Sequence, residues 1–130
     1  MDNINKQINY WKISAENNWK TALDLFKTKH YDACLFFCHL TLEKLLKGLA
    51  VKEMKESAPR GHDLPELANL AKLTLNQEQM KNLKIITTFN IAARYDTHKY
   101  NFYKMCTKEY ASHYLEISKN LSLWLKEQYL

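Results

Sequence analysis

Leu35-Phe36-Phe37-Cys38-His39-Leu40-Thr41-Leu42-Glu43-Lys44-Leu45-Leu46-Lys47-Gly48-Leu49 is the stretch whose reading decides the fold. Its apolar side chains Leu35, Cys38, Leu42, Leu45, Leu46 and Leu49 recur at steps of three and four, which is one face of an α-helix. With Asp32 as N-cap, the helix is expected to run to about Lys52. At that length it spans roughly 30 Å, the width of a small domain. Helices of this size pair antiparallel and bury their stripes on one another.

The same period appears on either side. Upstream, Trp11, Ala15, Trp19, Ala22 and Phe26 predict a first helix from about Lys6 to Phe26, closed by the polar turn Lys27-Thr28-Lys29-His30. Downstream, Glu56-Ser57-Ala58-Pro59-Arg60-Gly61-His62 holds one of the two prolines and one of the two glycines and reads as the longest loop. Asp63 can cap a short third helix with Pro65 in its first turn and Leu64, Leu67 and Leu70 facing inward. Asn76 followed by Gln79 has the spacing of a capping box and opens a fourth helix through Met80, Leu83, Ile86 and Phe89 to about Arg94. Asp96 to Cys106 shows no clear period and reads as irregular. Thr107 then caps a last helix with Tyr110, Tyr114, Ile117, Leu121 and Trp124 as its stripe.

The expected fold is therefore all-α, an up-and-down bundle of four long helices plus one short helix. Residues 1–130 form one domain, since the length suits a single core. Two glycines and two prolines in 130 residues are too few for a sheet-rich or loop-rich architecture. With 46% apolar and 25% charged residues the composition is globular rather than disordered. A polar start, Met1-Asp2-Asn3-Ile4-Asn5, lacks the apolar core of a secretory signal, and no run reaches the roughly 18 apolar residues a membrane span requires. Three cysteines, an odd number in apolar-looking positions, fit free thiols in a reducing cytoplasm. The net charge of +5 permits an anionic partner without requiring one.

Three polar clusters interrupt the pattern. His39, Glu43 and Lys47 share one helical face beside the leucine stripe. Gly61-His62-Asp63-Leu64 lies at the mouth of the third helix. Ala93-Arg94-Tyr95 ends the fourth, with His98 four residues beyond Arg94. Arg94 is one of only two arginines among nineteen basic residues, and the planar donor fork of arginine suits phosphate and carboxylate. Glu43 on an apolar helix needs a cation, for which Arg94 is the obvious candidate; Arg94 facing a ligand is the competing arrangement. His62 and Asp63 equally fit a loop end with a helix cap or, for His62, a phosphate or base contact beside Arg94. Cys34 and Cys38 with His39 beside them do not make up three or four soft ligands at loop spacing, so neither a metal nor a cofactor is expected. Tyr95, Tyr100, Phe102 and Tyr103 interleave with Lys99 and Lys104, a pattern that serves base stacking or a dimer interface.

In their order and spacing, Tyr31-Asp32-Ala33-Cys34-Leu35-Phe36, His39 to Lys47, Gly61-His62-Asp63-Leu64 and Ala93-Arg94-Tyr95 together resemble the HEPN family, small helical domains named for nucleotide binding in higher eukaryotes and prokaryotes. The resemblance covers nearly the whole chain, including the helix around Trp11 and Trp19. It implies a helical bundle that usually forms a homodimer. In many members an Arg-x4–6-His motif from each subunit cuts RNA without metal. There the arginine neutralises a phosphate and the histidine moves the proton of the ribose 2′-hydroxyl. Other members lack the motif and are paired with a separate minimal nucleotidyltransferase as a substrate- or partner-binding subunit, while the nuclease and its nucleotidyltransferase partner often form toxin–antitoxin pairs. Here three residues separate Arg94 from His98, shorter than that motif. The resemblance then implies a nucleotide- or RNA-binding domain that does not cleave or cleaves weakly, with Arg94, Tyr95, His62 and Glu43 as ligand-binding residues. The alternative it leaves is a metal-independent endoribonuclease using Arg94 and His98.

Overall fold

In a computed structural model of the chain, residues 2–130 are described except Tyr95, and the side chains of Asp2, Ala93 and Arg94 lie outside the described part. The described residues form six helices and no strand: α1 (Asp2–Lys27), α2 (Tyr31–Met54), α3 (Leu64–Leu70), α4 (Gln77–Arg94), α5 (Asp96–Met105) and α6 (Lys108–Glu127). The class is all-α as expected, but the count of four long helices and one short one is corrected by α5.

Helix α2 is the central member. Leu35, Cys38, Leu42, Leu45, Leu46 and Ala50 are all buried, and each of the other helices packs on it. Its burial extends almost all round, from Thr41 to Glu43 and from Leu45 to Val51. A helix enclosed on that scale brings polar side chains inside with the leucines, and His39, Glu43 and Lys47 are buried with them. Any polar group there must be partnered, and this requirement shapes the candidate site.

Three of the four expected caps are present. Asp63 accepts a hydrogen bond from the Glu66 amide at 3.3 Å, with Pro65 in the first turn of α3. Asn76 and Gln79 bond reciprocally, at 2.7 and 3.0 Å, which opens α4 as a capping box. Thr107 accepts from the Tyr110 amide at 3.1 Å and starts α6. The cap of α2 is a correction: His30, not Asp32, occupies that position, and the Cys34 amide already bonds to the His30 carbonyl at 2.9 Å. Asp32 falls in the first turn instead, where its negative charge is favourable against the helix dipole.

The stretch read as irregular, Asp96–Cys106, is also corrected, since it forms α5 up to Met105. Phe102, expected among the exposed aromatics, is buried against Phe89 with ring centroids 5.5 Å apart, while Tyr100 and Tyr103 are exposed. No helix among the described residues is long and apolar enough to cross a membrane.

Candidate functional site

The site is built where α2 meets the loop before α3. His39, Glu43 and Lys47 follow one another at intervals of four on α2, so they stack along one face. The loop reaches that face through Gly61, whose φ of +109° is open only to a residue without Cβ. His62 follows immediately and is bound twice. Its carbonyl accepts a hydrogen bond from His39 Nε2 at 2.9 Å, and its Nδ1 donates to Glu43 Oε1 at 2.8 Å. Just beyond, the Leu64 amide donates to Thr87 Oγ1 of α4 at 3.1 Å, so the loop is tied to two helices.

Because a carboxylate and a carbonyl only accept, these bonds assign the protons. His62 carries hydrogen on Nδ1 and His39 on Nε2. Among the described residues nothing bonds the Nε2 edge of His62, and its side chain is 42% exposed. Glu43 is 5% exposed and has an N–H donor at each oxygen. His62 lies at Oε1, with His39 Nε2 3.8 Å from the same oxygen, and Lys47 Nζ lies 3.3 Å from Oε2. The Lys47 ammonium also sits over the Trp11 ring of α1, 5.7 Å from its centroid. A line of interactions thus runs from α1 through α2 to the loop: Trp11, Lys47, Glu43, His62.

Chemically, the arrangement presents an oriented imidazole backed by a buried carboxylate. It can donate to an anionic oxygen when protonated on both nitrogens, or accept a proton at Nε2 when neutral. Of the residues expected in the site, the structure brings Glu43 and His62 together. Arg94 and Tyr95 lie outside the described residues as far as their side chains are concerned, so the expected Glu43–Arg94 pair falls there too. Among the described residues, Glu43 is met by the Lys47 ammonium and by the ring N–H of His62, with His39 Nε2 close by. His98 is exposed in the first turn of α5. Trp11 and Thr87 were not among the expected site residues. Trp11 was legible only as part of the stripe of α1, and a threonine inside α4 gave no signal.

The cysteines lie apart from this site. All three are free and buried. The Cys34 and Cys38 thiols hydrogen-bond one another, which pulls the pKa of Cys34 down and pushes that of Cys38 up. Among the described residues, no group of three or more histidines, cysteines or carboxylates is placed to hold a metal ion.

Comparison with known proteins agrees with this architecture. No curated protein matches the chain. Among solved structures, TT1696 from Thermus thermophilus superposes with a TM-score of 0.79 over 94% of this chain and 98% of that one, at 21% identity, a likeness of fold. The model of the HEPN domain family matches residues 8–128, from the first helix to the last. The chain belongs to the HEPN domain family.

Proposed function

We propose that this HEPN domain binds a nucleotide-type ligand or RNA, without cleaving it or cleaving it only weakly. In this reading it acts as a homodimer and as the partner of a separate minimal nucleotidyltransferase, in a toxin–antitoxin-like module. The observation that carries the reading is the buried Glu43 carboxylate, which fixes a half-exposed His62 imidazole by a 2.8 Å bond. An imidazole held in one orientation with part of its ring in solvent suits contact with a phosphate or a base. Arg94 and Tyr95 complete the proposed ligand-binding set, the arginine for phosphate and the tyrosine for stacking or a hydrogen bond.

A short single-stranded RNA and ATP, titrated separately into the purified chain, test this. Binding by the parent that weakens at least tenfold in both His62→Ala and Arg94→Ala supports the reading. Equal affinity in parent and variants sinks it. The second reading, a metal-independent endoribonuclease, is favoured by the exposure of His98. RNA cleaved in EDTA by the parent, and by neither Arg94→Ala nor His98→Ala, would replace binding with catalysis.

A further inference from the structure

On α2, Thr41 and Leu45 lie roughly 200° round the helix axis from Glu43 and Lys47. They floor a separate cavity of about 110 Å³, walled by Ala15, Glu16 and Trp19 of α1 and by Lys119, Ser122, Leu123 and Lys126 of α6. Both walls pack on α2, which leaves a cleft between them. About 10–15 Å³ of such space already admits a water, so the cavity has room for a small polar group.

Two hydroxyls line the cavity, and they differ. Thr41 Oγ1 donates back to the Phe37 carbonyl at 2.8 Å, the usual solution for a hydroxyl inside a helix. Ser122 makes no such bond. The residue is only 6% exposed, yet its Oγ has no hydrogen-bond partner among the described residues. A buried hydroxyl left in that condition is costly unless something occupies the space beside it. Lys119 lies one turn before Ser122 and Lys126 one turn after, both exposed at the same cavity, against the single carboxylate of Glu16. The balance is one positive charge around one free donor.

We propose that this cavity is a second binding site, for an oxyanion: the carboxylate or phosphoryl head of a small molecule. Ser122 Oγ donates to one oxygen, Lys119 and Lys126 neutralise the charge at the rim, and the Trp19 indole forms the wall for what the head is attached to. The site stands on the opposite face of α2 from His62 and does not depend on the function proposed there.

The test is an NMR titration of the full ¹⁵N-labelled chain at constant ionic strength, with inorganic phosphate and with acetate as separate probes. Saturable shifts of the Ser122 amide and the Trp19 indole N–H are expected from at least one probe, and which one saturates identifies the head group. Ser122→Ala should weaken that binding about tenfold or more, the worth of a hydrogen bond to a charged group. Lys119→Gln should weaken it and Glu16→Gln should tighten it; both positions are exposed, so these variants decide the matter even if Ser122→Ala disturbs the fold. Lys84→Gln, exposed on α4 and away from this cavity, should leave it unchanged. Shifts that grow linearly without saturating, or that are the same in the parent and the Lys119→Gln and Glu16→Gln variants, overturn the proposal.

Discussion

Glu43 neutralises the Lys47 charge inside the protein and fixes the His62 ring at its surface, two tasks of unequal energy. Lys47 is only 9% exposed, so removing its counter-charge strands a buried ammonium over Trp11. Glu43→Gln should therefore cost about 1–3 kcal/mol, below the range for fully enclosed pairs because water still reaches one side. His62→Ala should cost less than about 1 kcal/mol, since the ring is half in solvent and Lys47 stays paired. Urea midpoints of the two variants check the order, and equal losses would contradict it. The ring itself makes a second prediction. A carboxylate at Nδ1 dictates the Nδ1–H tautomer of neutral His62, the minority form in water. ¹⁵N shifts of the imidazole nitrogens should report it in the parent and lose it in Glu43→Leu, which offers no acceptor.

At the scale of helices, a chain with two glycines must end its helices on other residues. Lys29, Lys55 and Lys72 all adopt positive φ, at 65°, 56° and 57°, just past the ends of α1, α2 and α3. After α1 and α3 the backbone closes in the same way, with His30 N bonded to Leu25 O and Leu73 N to Ala68 O. A side chain in this conformation costs roughly 1 kcal/mol that glycine avoids. Lys55→Gly and Lys72→Gly should each raise stability by about 0.5–1 kcal/mol in chemical denaturation, while a loss at either site would show that the lysine contributes something further. These endings explain what could be read beforehand. Asp63, Asn76 with Gln79, and Thr107 are local signals, legible because cap and amide are three residues apart. Helix α5 was not legible. Its Asp, Thr, Asn, His and Tyr residues are weak helix formers, and only Phe102 is buried, so no stripe marks it. The pairing of Glu43 with His62 was half legible: the need for a cation followed from burial, but the choice among arginine, lysine and histidine depended on where a nineteen-residue separation brings the loop.

Across the whole molecule, the last residues are fastened to the middle of the central helix. Tyr129 Oη donates to the Leu45 carbonyl, and Lys52 Nζ holds the Tyr129 carbonyl at 2.8 Å and that of Gln128 at 3.4 Å. The tyrosine fits because residue 48 is glycine: a Cβ there would collide with Tyr129 Oη and press on Trp11 Cβ at 3.1 Å. Gly48→Ala, stabilising by about 1 kcal/mol in an unhindered helix, should here destabilise by about 1–3 kcal/mol. Adding Tyr129→Ala should make the two losses less than additive in a double-mutant cycle. The same close packing sets the response of the molecule to alkali. Burial pushes the Cys106 thiol from 9.0 up to about 12 and the Tyr110 phenol from 10.0 up to about 12, and it raises Tyr129 as well. The hydrogen bond from Cys34 raises Cys38 in the same direction. For each group the folded state keeps a proton that the unfolded chain releases, so the unfolded state binds fewer protons between the two pKa values. Stability from these groups is complete below about pH 9 and falls as pH climbs from there toward 12. The thermal midpoint of the parent should accordingly decline above pH 9, and Cys106→Ala, whatever it costs at neutral pH, should decline more gently over that interval. Parallel profiles for parent and variant would mean that Cys106 ionises as freely in the folded protein as in the unfolded chain, which its buried position against Phe102 and α2 argues against.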